Sequence, residues 1–480
     1  MPDCCEVSKL NIRQFSGLTA DSRKVGPGWL FAALKGAKAD GRDFIPDALA
    51  AGAAAIVSEK LPADLARTVA RQAALIEVEN PRRTLAIAAA AFYGPQPEIV
   101  AMVTGTNGKT STVEFARNLW RSLGRPAASL GTLGLVSGDA SSGSGLTTPD
   151  PVALASMLAS LAESGVQRAA VEASSHGLDQ ERLSGIRASI GVFTSFGRDH
   201  LDYHLTEGAY MAAKMRLFRE VLEPGGTAIL CADMPAAAQV LDELQDLGLN
   251  IWTYGEAGKE IRLLEATPDG AGQQLRIRVF EREYEIHLPL SGHFQALNAL
   301  AALGIVLAGG EDAGQAIASV PHLPGVPGRM QLAGTTTADA RVYIDYAHTP
   351  DALATALSAL RPGVAGRLVV LFGAGGDRDK GKRPEMGRIA AQLADAVVIT
   401  DDNPRSEPPA AIRAAIMRDC PGATEIGDRR EAIHQAVRSL RAGDVLLIAG
   451  KGHETGQTIG GVVHPFDDLV EAKSALAGLS

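Results

Sequence analysis

The residues with the most evident chemical use are Lys109 and Thr110, which follow a glycine-rich turn in EIVAMVTGTNGKTSTVEFARNLW, residues 98–120. An apolar run, Ile99 to Val103, leads into Gly105, Thr106, Asn107 and Gly108, and Lys109, Thr110 and Ser111 then open a helix-forming segment. A strand, a loop and a helix N-terminus in that order build a phosphate site, because loop N–H groups and the positive end of the helix dipole both favour an anion. Lys109 adds a point charge, and Thr110 offers a hydroxyl to a phosphate-bound Mg2+. The two glycines stand closer together than in the usual Walker loop, so the stretch reads either as a nucleoside-triphosphate site or as an ordinary strand-to-helix turn.

Further candidates lie downstream. The strand QRAAVEA delivers Glu172 at its end, ahead of SSHGLDQERL, where a carboxylate is placed to hold Mg2+ directly or through water. Arg198 to His204 contains His200 and His204 at i and i+4, but a zinc site of the HExxH type fails because Leu201 stands where the glutamate belongs. A histidine is also an unusual ligand for a hard cation. Lys214, within AYMAAKMRLF, reads on periodicity as a solvated or snorkelling lysine. Thr147 and Thr148 precede a proline and a helix expected over Val152 to Ser164, and read equally as a helix-start signal. Thr19, Asp21, Ser22 and Arg23 read as turn chemistry.

In the last third, RVYIDYAHTPDAL puts Asp345 and His348 at a strand end. The loops GAGGDRDKGKRPEMG, DDNPRSEPP and AGKGHETGQ carry Arg378, Lys380, Lys382, Arg383, Arg405 and Lys451 together with Asp402, His453 and Glu454. Charges of both signs converging at one sheet edge suit a zwitterionic ligand; the alternative is that they solvate the loop tips. A dinucleotide fingerprint at Gly373 and Gly375 is disfavoured, because position 378 is arginine and no helix begins there.

The elements that must position these groups alternate strand and helix, which predicts an α/β protein with parallel sheets and sites outside the strands' carboxyl ends. At 480 residues, with 46% hydrophobic and 21% charged residues, the chain is expected to hold several globular domains. GPQPE and the Pro/Gly-dense PHLPGVPGRM divide it into residues 1–97, 98–326 and 327–480. HFQALNALAALGIVLAGG reads as an amphipathic helix in which Asn298 is the notable polar insertion, and Ser137 to Gly145 as a mobile loop. A net charge of −9 argues against nucleic-acid or anionic-membrane partners, and no apolar run approaches membrane-spanning length. Met1 to Gln14 lacks a cationic region followed by an apolar core, and Cys4, Cys5, Cys231 and Cys420 show no metal spacing. The expectation is a reduced, cytoplasmic protein without a signal peptide.

Taken together, TGTNGKT, EASSHGLDQ, RDHLDYH, the lysine of YMAAKMRLF, PGRM, DYAHTPDAL, GAGGDRDKGKRP, DNPRSE and AGKGHE, in this order over nearly the whole chain, resemble the Mur ligases, ATP-dependent amide-forming enzymes of peptidoglycan synthesis. DNPR, from Asp402 through Asn403 and Pro404 to Arg405, is similar to the motif that marks use of diaminopimelate rather than lysine. The resemblance implies a small α/β domain (1–97) binding the uridine nucleotide near Ser22 and the GAKADG loop. It implies a central P-loop-type ATPase domain (98–326) and a Rossmann-like domain (327–480) that brings in the amino acid.

By residue, it implies ATP contacts at Gly105, Thr106, Asn107, Gly108, Lys109, Thr110, Ser111, Asn298, Arg329, Asp345 and His348. Ser22, Thr147, Thr148, Ser174, Gln180 and Arg182 match contacts to the UDP-sugar-peptide. Arg378, Asp402, Asn403, Pro404, Arg405, Gly450 and Glu454 match diaminopimelate contacts. Thr110, Glu172, His200 and Lys214, the last as a CO2-derived carbamate, match Mg2+ ligands, and Lys109, Lys214, His200 and Glu172 form the implied catalytic set. The implied substrates are UDP-MurNAc-L-Ala-D-Glu, meso-2,6-diaminopimelate and ATP, handled by a monomer. Ser195 and Gly197 depart from the usual Asn and Ser or Thr, LCADM keeps only Asp233, and HFQALNALAA is a variant string.

The implied reaction is acyl-phosphate chemistry: a substrate carboxylate attacks the γ-phosphorus of ATP, and an amine then displaces phosphate. Two alternatives compete. Folylpolyglutamate synthase shares the short loop and the lysine but is not expected to carry DNPR together with KGHE. A nucleotide-binding regulator would have no use for the charged loops of the last third.

Overall fold

The computed structural model describes residues 11–36, 39–138, 140–142 and 146–479. Cys4 and Cys5, Ala37 and Lys38 of the GAKADG loop, and Asp139 and Gly143–Gly145 of the Ser/Gly-rich loop lie outside the described residues. Contacts group the chain into two compact units, Met1–Arg262 with Leu300–Ile317, and Leu263–Ala299 with Ala318–Ser480. Among the described residues no helix is long and apolar enough to cross a membrane.

The first unit opens with a four-stranded parallel sheet, β1 (Gly17–Thr19), β2 (Trp29–Ala32), β3 (Ala55–Ser58) and β4 (Ala74–Glu77), in that spatial order. Helix Pro81–Tyr93 lays Leu85, Ala88 and Ala89 against Leu18, Leu30 and Val57 of this sheet. Its start is set by Pro81 in the first turn and by Asn80, whose side chain accepts from Arg83 N at 3.0 Å.

The larger sheet of this unit runs β12 (Asn250–Gly255), β11 (Leu222–Cys231), β10 (Ala188–Phe193), β5 (Ile99–Thr104), β9 (Arg168–Glu172), β6 (Ala127–Gly131), β7 (Gly134–Ser137) and β8 (Ala140–Ser142). It is parallel from β12 to β6, and antiparallel where β6, β7 and β8 turn back on one another. Strands covered on both faces read as apolar runs rather than alternations, and IVAMVT of β5 is buried from Val100 onward. Ile261 and Arg262, opening β13 (Ile261–Asp269), pair in parallel with Tyr254 and Gly255. Register decides the site: Thr104 pairs with Phe193 on one side, and Val103 with Glu172 on the other. The carboxyl ends of β10, β5 and β9 therefore stand side by side.

In the second unit, β14 (Gly272–Val279) and β15 (Arg282–Leu288) form an antiparallel pair. A six-stranded sheet follows in the order β16 (Gln331–Thr335), β17 (Arg341–Asp345), β21 (Val445–Ala449), β18 (Leu368–Phe372), β19 (Ala396–Ile399) and β20 (Thr424–Glu425). All its pairings are parallel except β16 with β17. Apolar layers cover both faces, one built around Leu353, Leu357, Phe372 and Ile399, the other around Ile344, Leu371, Ile433 and Leu446. Arg429 and Asp468, both fully buried, form a bidentate pair at 2.7 Å. A two-stranded hairpin, β22 (Gly456–Ile459) and β23 (Val462–Pro465), follows β21. The parallel, alternating architecture expected from the sequence is thus present in both units.

Candidate active site

Gly105 and Gly108 carry φ of 148° and 87°, so both turns of the phosphate loop use left-handed backbone that favours glycine. Gly108 caps helix Lys109–Ser122, and having no side chain it makes no side-chain bond to the first N–H groups of the helix, the end whose dipole favours an anion. Lys109 folds back over the loop, its Nζ donating to Gly105 O and Thr106 O at 2.9 Å each. The end of β10 braces the loop from the side: Thr194 Oγ1 donates to Asn107 O (2.6 Å), Asn107 N–H donates to Ser195 Oγ (2.9 Å), and Gly197 N–H donates to Thr106 Oγ1 (3.0 Å). The two departures noted in the sequence, Ser195 and Gly197, therefore brace the phosphate loop.

On the other side, Glu172 is buried at the end of β9 and accepts from Thr132 N–H (2.8 Å) and Thr132 Oγ1 (3.2 Å). A Cβ at Gly131 would run into this carboxylate, so the glycine makes room for it. Thr148, fully buried, donates to Glu172 O (3.0 Å) and shares a hydrogen bond with Ser174 Oγ (2.9 Å). Arg182 Nη1 donates to Thr148 O (2.7 Å), and its Nη2 to Gln180 Oε1 (2.6 Å). Thr147 Oγ1 lies 3.4 Å from the same Thr132 hydroxyl. Five of the six residues matched to the UDP-sugar-peptide, Thr147, Thr148, Ser174, Gln180 and Arg182, thus stand together around Glu172. The helix-start alternative for the two threonines is corrected: Asp150 is the cap, accepting from Val152 and Ala153 N–H at 3.1 Å each. Ser22 lies apart, at the start of a short helical turn capped by Asp21. A cavity of about 230 Å3 does lie beside the GAKADG loop, lined by Lys35, Asp40, Arg42, Asn80 and Arg82 among others, and Ser22 is not in its lining.

Lys214 overturns its own sequence reading. It is neither solvated nor snorkelling but 1% exposed, with Nζ donating to Gly105 O at 2.8 Å and lying 4.3 Å from the centre of the Tyr210 ring. Burial, aided by the nearby Lys109 cation, pushes its pKa well below the ordinary lysine value. His200 sits in left-handed backbone (φ 53°), its Nε2 3.4 Å from Asp199. Its ring packs edge-on to His176 at 4.8 Å, and His176 in turn touches His204 (5.5 Å) and Tyr203 (4.2 Å). Burial lowers the pKa of all three histidines, keeping the cluster neutral. Among the described residues no group of three His, Cys, Asp or Glu side chains stands as a preformed metal cluster.

In the second unit, Asn298 is buried and donates to Gln295 Oε1 (3.1 Å), and Gln295 Nε2 donates to Arg329 O (3.2 Å). Asn298 is therefore not the lone polar insertion of its helix, because Gln295 is fully buried beside it. The Arg329 guanidinium lies 4.4 Å from the Tyr346 ring centre, and Tyr346 packs on His348 at 4.6 Å. Asp345 accepts from Met330 N–H (2.7 Å) and Ala347 N–H (2.8 Å); burial raises its pKa against the pull of Arg329. The four residues matched to ATP here form one connected group.

The charged loops divide the labour that the sequence assigned to one cluster. Arg383 and Lys380 turn to Glu407, at 2.9 and 3.5 Å, and Arg383 holds the Glu407 carboxyl down at about 2. Lys382 Nζ donates to His348 O (2.8 Å). Lys451, fully buried, reaches Glu454 (3.3 Å), Asp402 (3.8 Å), Asn403 Oδ1 (3.3 Å) and Gly456 O (2.6 Å). Asn403 Nδ2 donates to Glu454 Oε2 (2.8 Å), Pro404 is buried, and a Cβ on Gly450 (φ 116°) would lie 3.4 Å from Asp402 Oδ2. Arg378 is exposed, while Arg405 Nη1 donates to Gly376 O at 2.7 Å. Asp233 is a turn residue, accepting from Glu256 and Ala257 N–H at 2.8 Å each.

Residues missed in the sequence include Thr132, Thr194, His176, Tyr210, Gln295 and Glu407. Thr132, Thr194, His176 and Glu407 come from a different strand end, helix or loop than the residues they support, so only the fold reveals them, whereas Tyr210 and Gln295 stand one helical turn from Lys214 and Asn298, a spacing present in the sequence. One missed element had a local signal: Gly460-Gly461 between QTI and VVH is a two-residue hairpin signature.

A glycine phosphate loop on the central strand of a parallel sheet, a buried carboxylate on the neighbouring strand, and charged loops on a second parallel sheet define an ATP-using ligase class. Family models agree along the chain: "Mur ligase family, catalytic domain" at residues 14–93, "Mur ligase middle domain" at 103–306, and "Mur ligase, glutamate ligase domain" at 328–452. The chain belongs to the Mur ligase family. It is 51% identical to the UDP-N-acetylmuramoyl-L-alanyl-D-glutamate–2,6-diaminopimelate ligase of Bradyrhizobium diazoefficiens, covering 97% of this chain and 95% of that protein. It is 50% identical to the ligase of the same name from Caulobacter vibrioides, covering 97% and 96%. A solved structure of a ligase of that name superposes with a TM-score of 0.71 at 36% identity, covering 97% and 95%.

Proposed function

We propose that this chain joins meso-2,6-diaminopimelate to UDP-N-acetylmuramoyl-L-alanyl-D-glutamate through an amide bond, converting ATP to ADP and phosphate in peptidoglycan synthesis. The observation that carries the reading is half identity over almost the full length to ligases of that one name. Arg405 and Asn403, held in the DNPR loop, are consistent with that amino acid.

In this reading the γ-carboxylate of the D-glutamyl residue attacks the γ-phosphorus of ATP, displacing ADP. Two anions must approach, and Lys109 with the helix N-terminus behind Gly108 offsets their repulsion. A neutral amine of diaminopimelate then attacks the acyl carbon; the C–N bond forms, the C–O bond to phosphate breaks, and the amine proton leaves. No side-chain nucleophile is needed, so the chain's work is positioning and charge stabilisation.

The residues present fit Mg2+. The Thr110 hydroxyl, in the first turn of the helix that follows β5, and the Glu172 carboxylate, at the end of the neighbouring strand β9, are hard oxygen donors, and burial lowers the pKa of His200. When bound, the ion supplies positive charge against the phosphates. Lys214 fits the carbamate role for a stated reason: burial lowers its pKa and so favours the neutral amine, the form that adds CO2 with loss of a proton, which would replace a cation by an anionic ligand. Thr147, Thr148, Ser174, Gln180 and Arg182 would hold the UDP-sugar-peptide, with Ser22 toward the uridine. Asn298, Arg329, Asp345 and His348 would contact the nucleotide, and Arg378, Arg405 and Glu454 the amino acid. The domains act as 1–97, 98–326 and 327–480 in a cytoplasmic monomer.

The test is phosphate release with UDP-MurNAc-L-Ala-D-Glu and ATP, adding diaminopimelate, lysine and glutamate one at a time. Release is expected with diaminopimelate alone; release indifferent to every amine would overturn the ligase reading.

A further inference from the structure

The β22–β23 hairpin contributes little to any core. Every residue of β23 is exposed, with Val462 and Val463 at 57% and 66%. Its inner strand is instead bonded into the DDNPR loop, fifty residues earlier in the chain. Thr458 N–H donates to Asn403 Oδ1 (2.9 Å) and Gln457 Nε2 to Asp402 O (2.7 Å), while Lys451, just after β21, donates from Nζ to Gly456 O (2.6 Å). Arg405 itself is held on both sides: its N–H donates to Thr458 O (3.0 Å) and its carbonyl accepts from Gly460 N–H (2.7 Å). These bonds matter because Arg405 has φ of 52°, left-handed backbone that a residue with a side chain keeps only where its surroundings over-determine it. Backbone held this way sends the guanidinium across Gly375 and Gly376: Nη1 bonds Gly376 O, and a Cβ on Gly375 would lie 2.7 Å from it. Gly460 and Gly461, at φ 57° and 82°, close the hairpin in open space, where an added Cβ would meet nothing within 4 Å.

We propose that the β22–β23 hairpin is the positioning clamp for amino-acid specificity, fixing the left-handed backbone of Arg405 and thereby aiming its guanidinium at the carboxylate that distinguishes diaminopimelate from lysine. The clamp rests on the reading of Arg405 as a diaminopimelate contact.

The test compares Gly460→Val, Gly460→Asn and Arg405→Ala in the full chain, measuring kcat and KM for each of the three substrates and the thermal midpoint. Valine strains the turn through the backbone alone, while asparagine tolerates positive φ. Gly460→Val is expected to raise KM for diaminopimelate about tenfold and to lower the diaminopimelate-to-lysine selectivity by a similar factor. KM for ATP and for the UDP substrate stays within about twofold, and Gly460→Asn restores the wild-type value. Should Gly460→Val not fold, Gln457→Ala, which removes only the bond to Asp402 O, is read in the same way with a smaller rise. An unchanged diaminopimelate KM in folded Gly460→Val, with a raised KM in Arg405→Ala, overturns the clamp alone. Unchanged kinetics in both variants overturn the Arg405 reading with it. An equal rise for all three substrates also overturns the clamp, because it marks a general structural defect.

Discussion

Lys214 and Lys451 are both fully buried, yet the protein treats them oppositely. Lys214 has a carbonyl and an aromatic ring for company, with the Lys109 cation nearby, and burial drives its pKa far down. Lys451 lies among Glu454, Asp402, Asn403 and the Gly456 carbonyl. Burying an ammonium is costly unless an opposite charge stands beside it. One lysine therefore lies beside a carbonyl, an aromatic ring and another cation, the other among carboxylates, and neither motif string nor spacing distinguishes the two. The contrast also separates the two regions: around the glycine loop the bracing is by hydroxyls and backbone, around the charged loops of the second unit by paired charges.

The sharpest way to break this contrast is Lys214→Ala. Turnover by phosphate release is expected to fall by at least ~100-fold, the scale of losing a preorganised charge at the transferring phosphate. Short carboxylic acids should restore part of it, by returning an anion to the vacated space. Wild-type-like activity would make Lys214 merely a buried amine and remove half of the comparison.

Lys451→Met should act on stability first. It leaves Asp402 and Glu454 without their cation, and breaking a buried pair from one side costs about 3–5 kcal/mol. Because Glu454 is itself partly exposed, the lower end is expected. Urea unfolding should show the loss, and added carboxylic acids should return nothing. Rescue by a carboxylic acid here would mean that the two lysines do the same work.

Arg405→Ala should be milder for the fold and specific in kinetics. A charge-assisted bond contributes roughly 1.5–3 kcal/mol, so kcat/KM for diaminopimelate should fall about 10- to 150-fold with ATP kinetics little changed. An equal loss for ATP would place Arg405 outside the amino-acid site.

The two regions also differ in how far the sequence discloses them. The phosphate loop was legible because strand, glycine turn, lysine and helix are contiguous, and its geometry follows from local backbone rules. Glu172, Thr148, Ser174 and Arg182 were legible as members of motifs, but their convergence rests on β9 lying beside β5, a pairing that no local pattern encodes. Lys214 was misread because helical periodicity reports which face a residue occupies, not what the neighbouring strand ends place over it. In the charged loops of the second unit the sequence disclosed the charges but not their pairing: Arg383 and Lys380 found Glu407, which lies on another loop. The hairpin that brackets Arg405 carried an explicit Gly-Gly signal, yet its meaning depended on a positive φ in Arg405 that only the folded backbone reveals.

The smallest expected effect tests whether the loop around Lys451 is as dry as that buried lysine implies. His453 packs on Tyr346 with ring centres 5.2 Å apart, and burial together with the Arg329 cation brings its pKa down to about 4. It is thus held neutral in the same loop that keeps Lys451 paired with carboxylates. The sign follows from proton binding. Between the ordinary histidine value near 6.5 and the folded value, the unfolded chain binds more protons, so the contribution of His453 is fully present above pH 6.5 and is lost as pH falls toward 4. Other groups titrate in the same window, including the histidines around His200, so the informative quantity is the difference between wild type and His453→Gln. Wild type should lose about 1–2 kcal/mol more than the variant between pH 7.5 and 5, after allowance for the partial exposure of the ring. Urea midpoints at the two pH values measure it. Parallel loss in both proteins would mean that solvent reaches His453 freely.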